Sequence, residues 1–126
     1  MRIEHIAIYV SDIDKTVEFY VRFFHAHATA AYRNANTLFQ SRFLTFESGA
    51  RVEVMNRPNL GAKGNSLCLG YNHFAISVGS QNKVDELYHV FQANGVEIVS
   101  PPRFTGDGYY ECCISDPDGN LIEITI

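Results

Sequence analysis

Two histidines and two glutamates carry the chemistry of this sequence. His5 sits in "IEHIAIYV" and His73 in "YNHFAISV", two octapeptides that share His, Ala, Ile and Val at the same places. Glu53 sits in "RVEVM" and Glu123 in "LIEIT", each in the middle of an apolar alternation. An imidazole has two polar ring nitrogens that need partners if buried, and an unpaired buried carboxylate is very costly. A lone strand histidine is ordinarily structural or exposed, and a lone strand glutamate solvated. Two of each at matched positions read instead as donors to one divalent cation: neutral imidazoles suit a first-row metal, and two carboxylates balance its charge.

The elements that must position these residues come in two copies. Superposing His5 on His73 aligns two strand openings. One residue out of that register, Val17, Tyr20, Val21 and Phe24 answer to Val84, Leu87, Tyr88 and Phe91, each set spaced as the apolar stripe of an amphipathic helix. "RVEVM" and "LIEIT" follow the turns "ESGA" and "DPDGN", the second rich in turn residues. Between helix and last strand lie "HATAAYR" and "FQSRFLTFE" in the first copy, "VEIVS" and "YYECCIS" in the second. Each copy reads β-α-β-β-β. Module 1 covers 1–57, a linker 58–70 rich in Asn and Gly follows, and module 2 covers 71–126, all within a single domain over 1–126.

Strand alternation sets the directions of the four side chains. Ile6, Ile8 and Val10 share one face, as do Phe74, Ile76 and Val78; His5 and His73 lie opposite. Val52 and Val54, and Ile122, Ile124 and Ile126, face the helix; Glu53 and Glu123 face away. All four donors lie on the face their own helix leaves uncovered, the inside of a cup if the sheets curl.

At 126 residues, with 46% hydrophobic and 19% charged residues, the chain can bury a core of its own. A net charge of −4 without a basic run argues against nucleic acid and anionic membranes as partners. No stretch approaches the ~18 apolar residues of a membrane span. Cys68, Cys112 and Cys113 are an odd set with two adjacent, which does not read as a disulfide framework. The expected compartment is a reducing one, the cytoplasm.

Other residues invite chemical readings. His25 and His27 follow the first helix in a polar stretch and read as surface residues; His89, beside Tyr88, reads as exposed or half-packed. Cys112 and Cys113 point to opposite strand faces. Arg42, Arg51 and Arg103 are candidates to hold a substrate carboxylate, and Tyr9, Phe43 and Tyr109 to line the cup.

"HIAIYVSDIDKTVEFY" and "SDPDGNLIEI" resemble the opening strand and helix and the closing hairpin of the vicinal oxygen chelate superfamily, which includes glyoxalase I, methylmalonyl-CoA epimerase, extradiol dioxygenases and fosfomycin-resistance enzymes. The resemblance covers nearly the whole chain. It implies an α+β fold of two βαβββ modules whose curved mixed sheets enclose a metal-containing cup. His5, Glu53, His73 and Glu123 look like the metal set of bacterial glyoxalase I, for Ni, Zn, Co, Mn or Fe alike. The implied reaction is isomerisation of the thiohemiacetal of a 2-oxoaldehyde through an enediolate, with Glu123 or Glu53 as base. The implied assembly is a homodimer with shared sites, His5 and Glu53 from one subunit and His73 and Glu123 from the other. Tyr9 stands where glyoxalase I usually has an Arg that grips glutathione, so another thiol adduct is open. Ala7 stands where fosfomycin thiol transferases tend to have Thr or Cys. Phe24 and His25 replace a usual Leu-Gly after the first helix. The alternatives are another metal-assisted reaction (epimerisation, thiol transfer, ring cleavage) or a metal-free drug-sequestering protein of the bleomycin-resistance type.

Overall fold

The computed structural model describes residues 2–62 and 69–126, and the chain divides into two compact units, Met1–Lys63 and Gly64–Ile126. Part of the expected linker, Cys68 included, lies outside the described residues. The first unit runs β1 (His5–Tyr9), α1 (Ile13–Phe24), β2 (His27–Ala28), β3 (Tyr32–Arg33), β4 (Gln40–Thr45) and β5 (Arg51–Asn56). The second runs β6 (His73–Ser77), α2 (Gln81–Ala93), β7 (Ile98–Phe104), β8 (Tyr110–Ser115) and β9 (Leu121–Thr125).

The two sheets share one topology. The first is ordered β1-β5-β4-β2, with β3 also on β4; the second is ordered β6-β9-β8-β7. β1 lies parallel to β5 and β6 parallel to β9, and the other pairings are antiparallel. The fold is α+β with mixed sheets, as the resemblance implied. Each first strand pairs with the last strand of its unit because the helix carries the chain across the sheet face, the connection that a parallel pair requires.

Capping fixes where the helices start. Asp12 accepts from the Lys15 amide at 3.0 Å, and Ser80 from the Lys83 amide at 3.4 Å. α2 buries Val84 and Phe91, two members of its expected stripe. α1 departs from expectation. It buries Thr16, Val17, Phe19, Tyr20 and Phe23, while Val21 is exposed. "VEFYVRFF" is apolar on more than one face, and the bulkier Phe19 and Phe23 win the core position. The α1 core meets Leu44, Val52 and Val54, and the α2 core meets Ile114, Ile122 and Ile124, all buried.

Two strands also differ from expectation. "HATAAYR" forms two short strands rather than one. The Thr29 hydroxyl accepts from the Phe43 amide at 3.0 Å, and the Thr29 carbonyl accepts from Arg42 Nε at 2.9 Å. Side-chain groups there take hydrogen bonds that a continuous ladder would make. β7 runs past "VEIVS" through Pro101 and Pro102 to Phe104. Proline removes an amide donor, and strands tolerate it at edges and bulges. β7 is an edge strand, and its register against β8 shifts twice across this stretch.

Candidate functional site

In each unit the register brings one histidine and one glutamate to the same face. Across the parallel β1–β5 ladder, His5 stands opposite Arg51 and Ala7 opposite Glu53. Across β6–β9, His73 stands opposite Leu121 and Ala75 opposite Glu123. The offset is the same in both. Nε2 of His5 lies 4.0 Å from a Glu53 carboxylate oxygen, and Nε2 of His73 lies 3.1 Å from one of Glu123. The alternate residues Val52, Val54, Ile122 and Ile124 are buried toward the helices, so the four polar side chains lie opposite them as expected.

The other ring nitrogen of each histidine is also engaged. His5 Nδ1 lies 2.5 Å from a Glu4 carboxylate oxygen, and His73 Nδ1 lies 2.9 Å from the Asn72 side-chain oxygen. Arg51 forms an ion pair with the second oxygen of Glu4 and lies 4.0 Å above the Phe43 ring. Phe43 in turn meets His5 edge-on, centroids 5.4 Å apart. The Glu4 carboxyl is held below its usual range, chiefly by the hydrogen bond from His5 and also by Arg51, against the opposing effect of burial. Arg51 Nε is a buried donor without a hydrogen-bond partner, the one such side-chain atom among the described residues.

The corresponding face of the second unit carries Cys113, opposite Glu123, and Glu111, opposite Thr125. Glu111 is buried and lies 3.5 Å from Arg103, whose other terminal nitrogen donates to Ser100 at 2.9 Å. Burial, then the charge of Glu123, pushes the Cys113 thiol up. Cys112 is fully buried on the opposite face against Ile124; burial, then its neighbour Cys113, pushes its thiol up to about 11. Such thiols are poor nucleophiles at neutral pH.

The remaining candidates divide. Arg42 shares the helix-side face with Val54, its register partner, and lies 3.6 Å from Asp14; it does not share a face with Glu53. The reason is strand parity, which the carboxylate-binding reading of three arginines left out. Tyr9 and Phe43 lie on the His5 face, opposite Met55 and Glu53. Tyr109 lies outside β8 in a turn closed by its amide donating to Thr105 Oγ1 at 3.0 Å. His25, His27 and His89 are exposed. Glu4 and Asn72 were not among the candidates, although a signal existed: they hold the same place in the two aligned octapeptides, and both offer a side-chain oxygen.

Donors held by one divalent ion, each ~2.1 Å from it, stand ~3 Å apart when adjacent. The His73–Glu123 pair has that spacing, and the His5–Glu53 pair is about an ångström wider. With Nδ1 of both rings already bound, Nε2 is the nitrogen left to coordinate. The donor set fits a divalent cation as two half-sites; among the described residues no three His, Cys, Asp or Glu side chains gather into one cluster.

Comparison with known proteins agrees with the fold. The chain is 29% identical over 126 residues to lactoylglutathione lyase GLX1 of Arabidopsis thaliana, covering 98% of this chain and 43% of that protein. It is 27% identical over 132 residues to a probable lactoylglutathione lyase of Vibrio cholerae, covering 98% of this chain and 88% of that one. The solved structure of a glyoxylase/bleomycin resistance protein/dioxygenase domain from Frankia sp. superposes with a TM-score of 0.85 at 16% identity, covering 100% of this chain and 97% of that one. The sequence model of the glyoxalase/bleomycin resistance protein/dioxygenase superfamily matches residues 2–124. The chain belongs to that superfamily.

Proposed function

We propose that the chain is a metal-dependent isomerase, or lyase, of the glyoxalase I type, acting on the thiohemiacetal of a 2-oxoaldehyde. One observation carries this reading: a His–Glu pair at the same parallel register in both units, on the face opposite the helix. The names of the Arabidopsis and Vibrio relatives support the same activity. His5, Glu53, His73 and Glu123 would hold one divalent ion. Bound there, the ion would stabilise the negative charge that develops on the substrate oxygens. Glu53 or Glu123 takes the proton from the carbon beside the carbonyl and returns it to the neighbouring carbon. Tyr9, at the end of β1 on the His5 face, offers an aromatic ring and a hydroxyl to the thiol part of the adduct, not a guanidinium.

Each unit holds half of the donor set. Two units of one chain or units of two chains could complete a site; by resemblance to glyoxalase I, the quaternary reading is a two-fold homodimer in which His5 and Glu53 of one subunit complete a site with the partner's second unit. No described helix is long and apolar enough to cross a membrane. The free thiols of Cys112 and Cys113 accord with a cytoplasmic setting.

The test is a panel of aldehyde–thiol adducts assayed with Ni²⁺, Zn²⁺, Co²⁺, Mn²⁺ and Fe²⁺, alongside metal analysis of untagged protein. Metal-dependent isomerisation of one adduct supports the reading. A metal-loaded protein inert on every adduct points to another metal-assisted reaction. A protein that binds no metal but retains a drug-sized ligand is a sequestering binder.

A further inference from the structure

We infer that Glu4 and Asn72 are positioning residues, each holding its neighbouring histidine in the tautomer that leaves Nε2 free to coordinate. The inference rests on the metal site proposed above and adds to it residues outside the ligand set.

His5 and His73 are the first residues of their strands, so Glu4 and Asn72 each stand one place ahead of the pleat. Within a strand, successive side chains point to opposite faces, and residue i−1 would be turned away from residue i. At the strand entrance that restriction is relaxed, and both side-chain oxygens reach Nδ1, at 2.5 Å and 2.9 Å. An ionised carboxylate only accepts hydrogen bonds. Nδ1 of His5 therefore carries the proton, and Nε2 presents its lone pair toward Glu53. At His73 the Asn72 oxygen accepts from Nδ1 in the same way, but Nε2 there lies 3.1 Å from the Glu123 carboxylate, a second acceptor that competes for the ring proton in the metal-free protein. Partners of this kind fix ring orientation and raise ligand basicity.

The two supports are unequal. Glu4 is charged and is itself gripped by Arg51, the register partner of His5, while Arg51 rests on Phe43. In the second unit the places of Arg51 and Phe43 are taken by Leu121 and Cys113, and the acceptor is a neutral amide. His5 is thus the more strongly backed ligand, and loss of Glu4 costs more than loss of Asn72.

Long-range ¹H–¹⁵N spectra of the metal-free protein at pH 8 report the ring tautomers, and chelator competition with Zn²⁺ alone as probe reports affinity. The metal-free parent is expected to show His5 in the Nδ1–H form. Glu4→Ala should move His5 toward a mixture and weaken Zn²⁺ binding by about 10- to 100-fold, the scale of outer-shell losses. Asn72→Ala should weaken Zn²⁺ binding too, by a smaller factor. Glu4→Gln, which keeps an oxygen acceptor, should restore the Nδ1–H form and part of the affinity. Amide dispersion in the same spectra checks that each variant is folded. An Nε2–H tautomer at His5 in the parent, a Glu4→Ala protein with unchanged tautomer and affinity, or an Asn72→Ala protein with unchanged affinity overturns the assignment. A parent that binds no Zn²⁺ refutes the metal site, while its ring tautomers still decide what Glu4 and Asn72 do.

Discussion

Nε2 of His73 lies 3.1 Å from a carboxylate oxygen of Glu123, within the separation of two adjacent donors on one ion. Backbone register sets the two residues side by side on one face, and the hydrogen bond from Nδ1 to Asn72 orients the His73 ring. Metal uptake should therefore be sensitive to the histidines. His5→Ala and His73→Ala are each expected to lower divalent-metal affinity by at least ~10-fold, read as metal per subunit by elemental analysis after dialysis. Equal metal loads in parent and variants would refute the site.

The glutamates carry the proton transfer in the proposed reaction. Glu53→Gln and Glu123→Gln preserve shape and remove the base, and the one that acts should lose at least ~10²-fold in kcat. Steady-state kinetics on the best adduct of the panel decides between them. Full turnover by both variants would exclude a glutamate base.

Shared sites have a signature in mixing. A chain carrying His5→Ala and Glu53→Ala, refolded together with one carrying His73→Ala and Glu123→Ala, should regain metal binding and part of the activity. The heterodimer then has one intact site and one empty one. Heterodimers that form and stay metal-free, or a micromolar monomer with a full metal load, would show that each site is built within one chain.

α1 ends on His25 at φ 53, in the left-handed region, whereas after α2 the chain turns at Gly95 with φ 69. A side chain there costs about 1–2 kcal/mol relative to glycine in the same conformation, partly offset by glycine's extra freedom in the unfolded chain. His25→Gly should therefore stabilise the protein by roughly 0.5–1 kcal/mol, seen as a higher denaturation midpoint at unchanged slope. A lower midpoint would mean that the His25 ring contributes packing that outweighs the strain.

Burial raises the Cys112 thiol to about 11 and also pushes Cys113 upward. Folding thus favours the protonated thiols. The contribution of Cys112 to stability is complete below the unfolded-state value near 9 and is lost as pH rises through the folded value of about 11; the raised Cys113 thiol acts in the same direction. At pH 8 the native protein should alkylate at these two positions far more slowly than the unfolded chain, as peptide mapping after timed iodoacetamide treatment will show. Rapid native labelling of Cys112 would contradict its burial.

Much of this was legible in the sequence because strand alternation and duplication report on the same residues. The faces of His5, Glu53, His73 and Glu123 follow from period two alone, and the repeat removes chance. The α1 stripe was read one position away because Phe19 and Phe23 are as apolar as Val21 and Phe24, and only volume in the folded core separates them. The break between β2 and β3 depends on a Thr29 hydroxyl meeting a backbone amide fourteen residues away, which no local pattern encodes. β7 passes through two prolines because it is an edge, a property of the sheet and not of the segment. Arg42 was grouped with Arg51 and Arg103 by charge, though parity alone turns it to the helix side.

The equal offset in the two parallel ladders bears on how such a chain can vary by descent. A residue inserted within β5 ahead of Glu53 would exchange the strand's faces, sending the carboxylate toward the helix and a valine to the other side. A residue inserted in the turn before β5 leaves the pairing intact. Length can therefore change freely at the turns, as "ESGA" and "DPDGN" differ, while strand interiors are fixed in count. A gene that duplicates this module inherits a His–Glu pair with its spacing already set, and the copies can diverge in helix surface and loop without losing it.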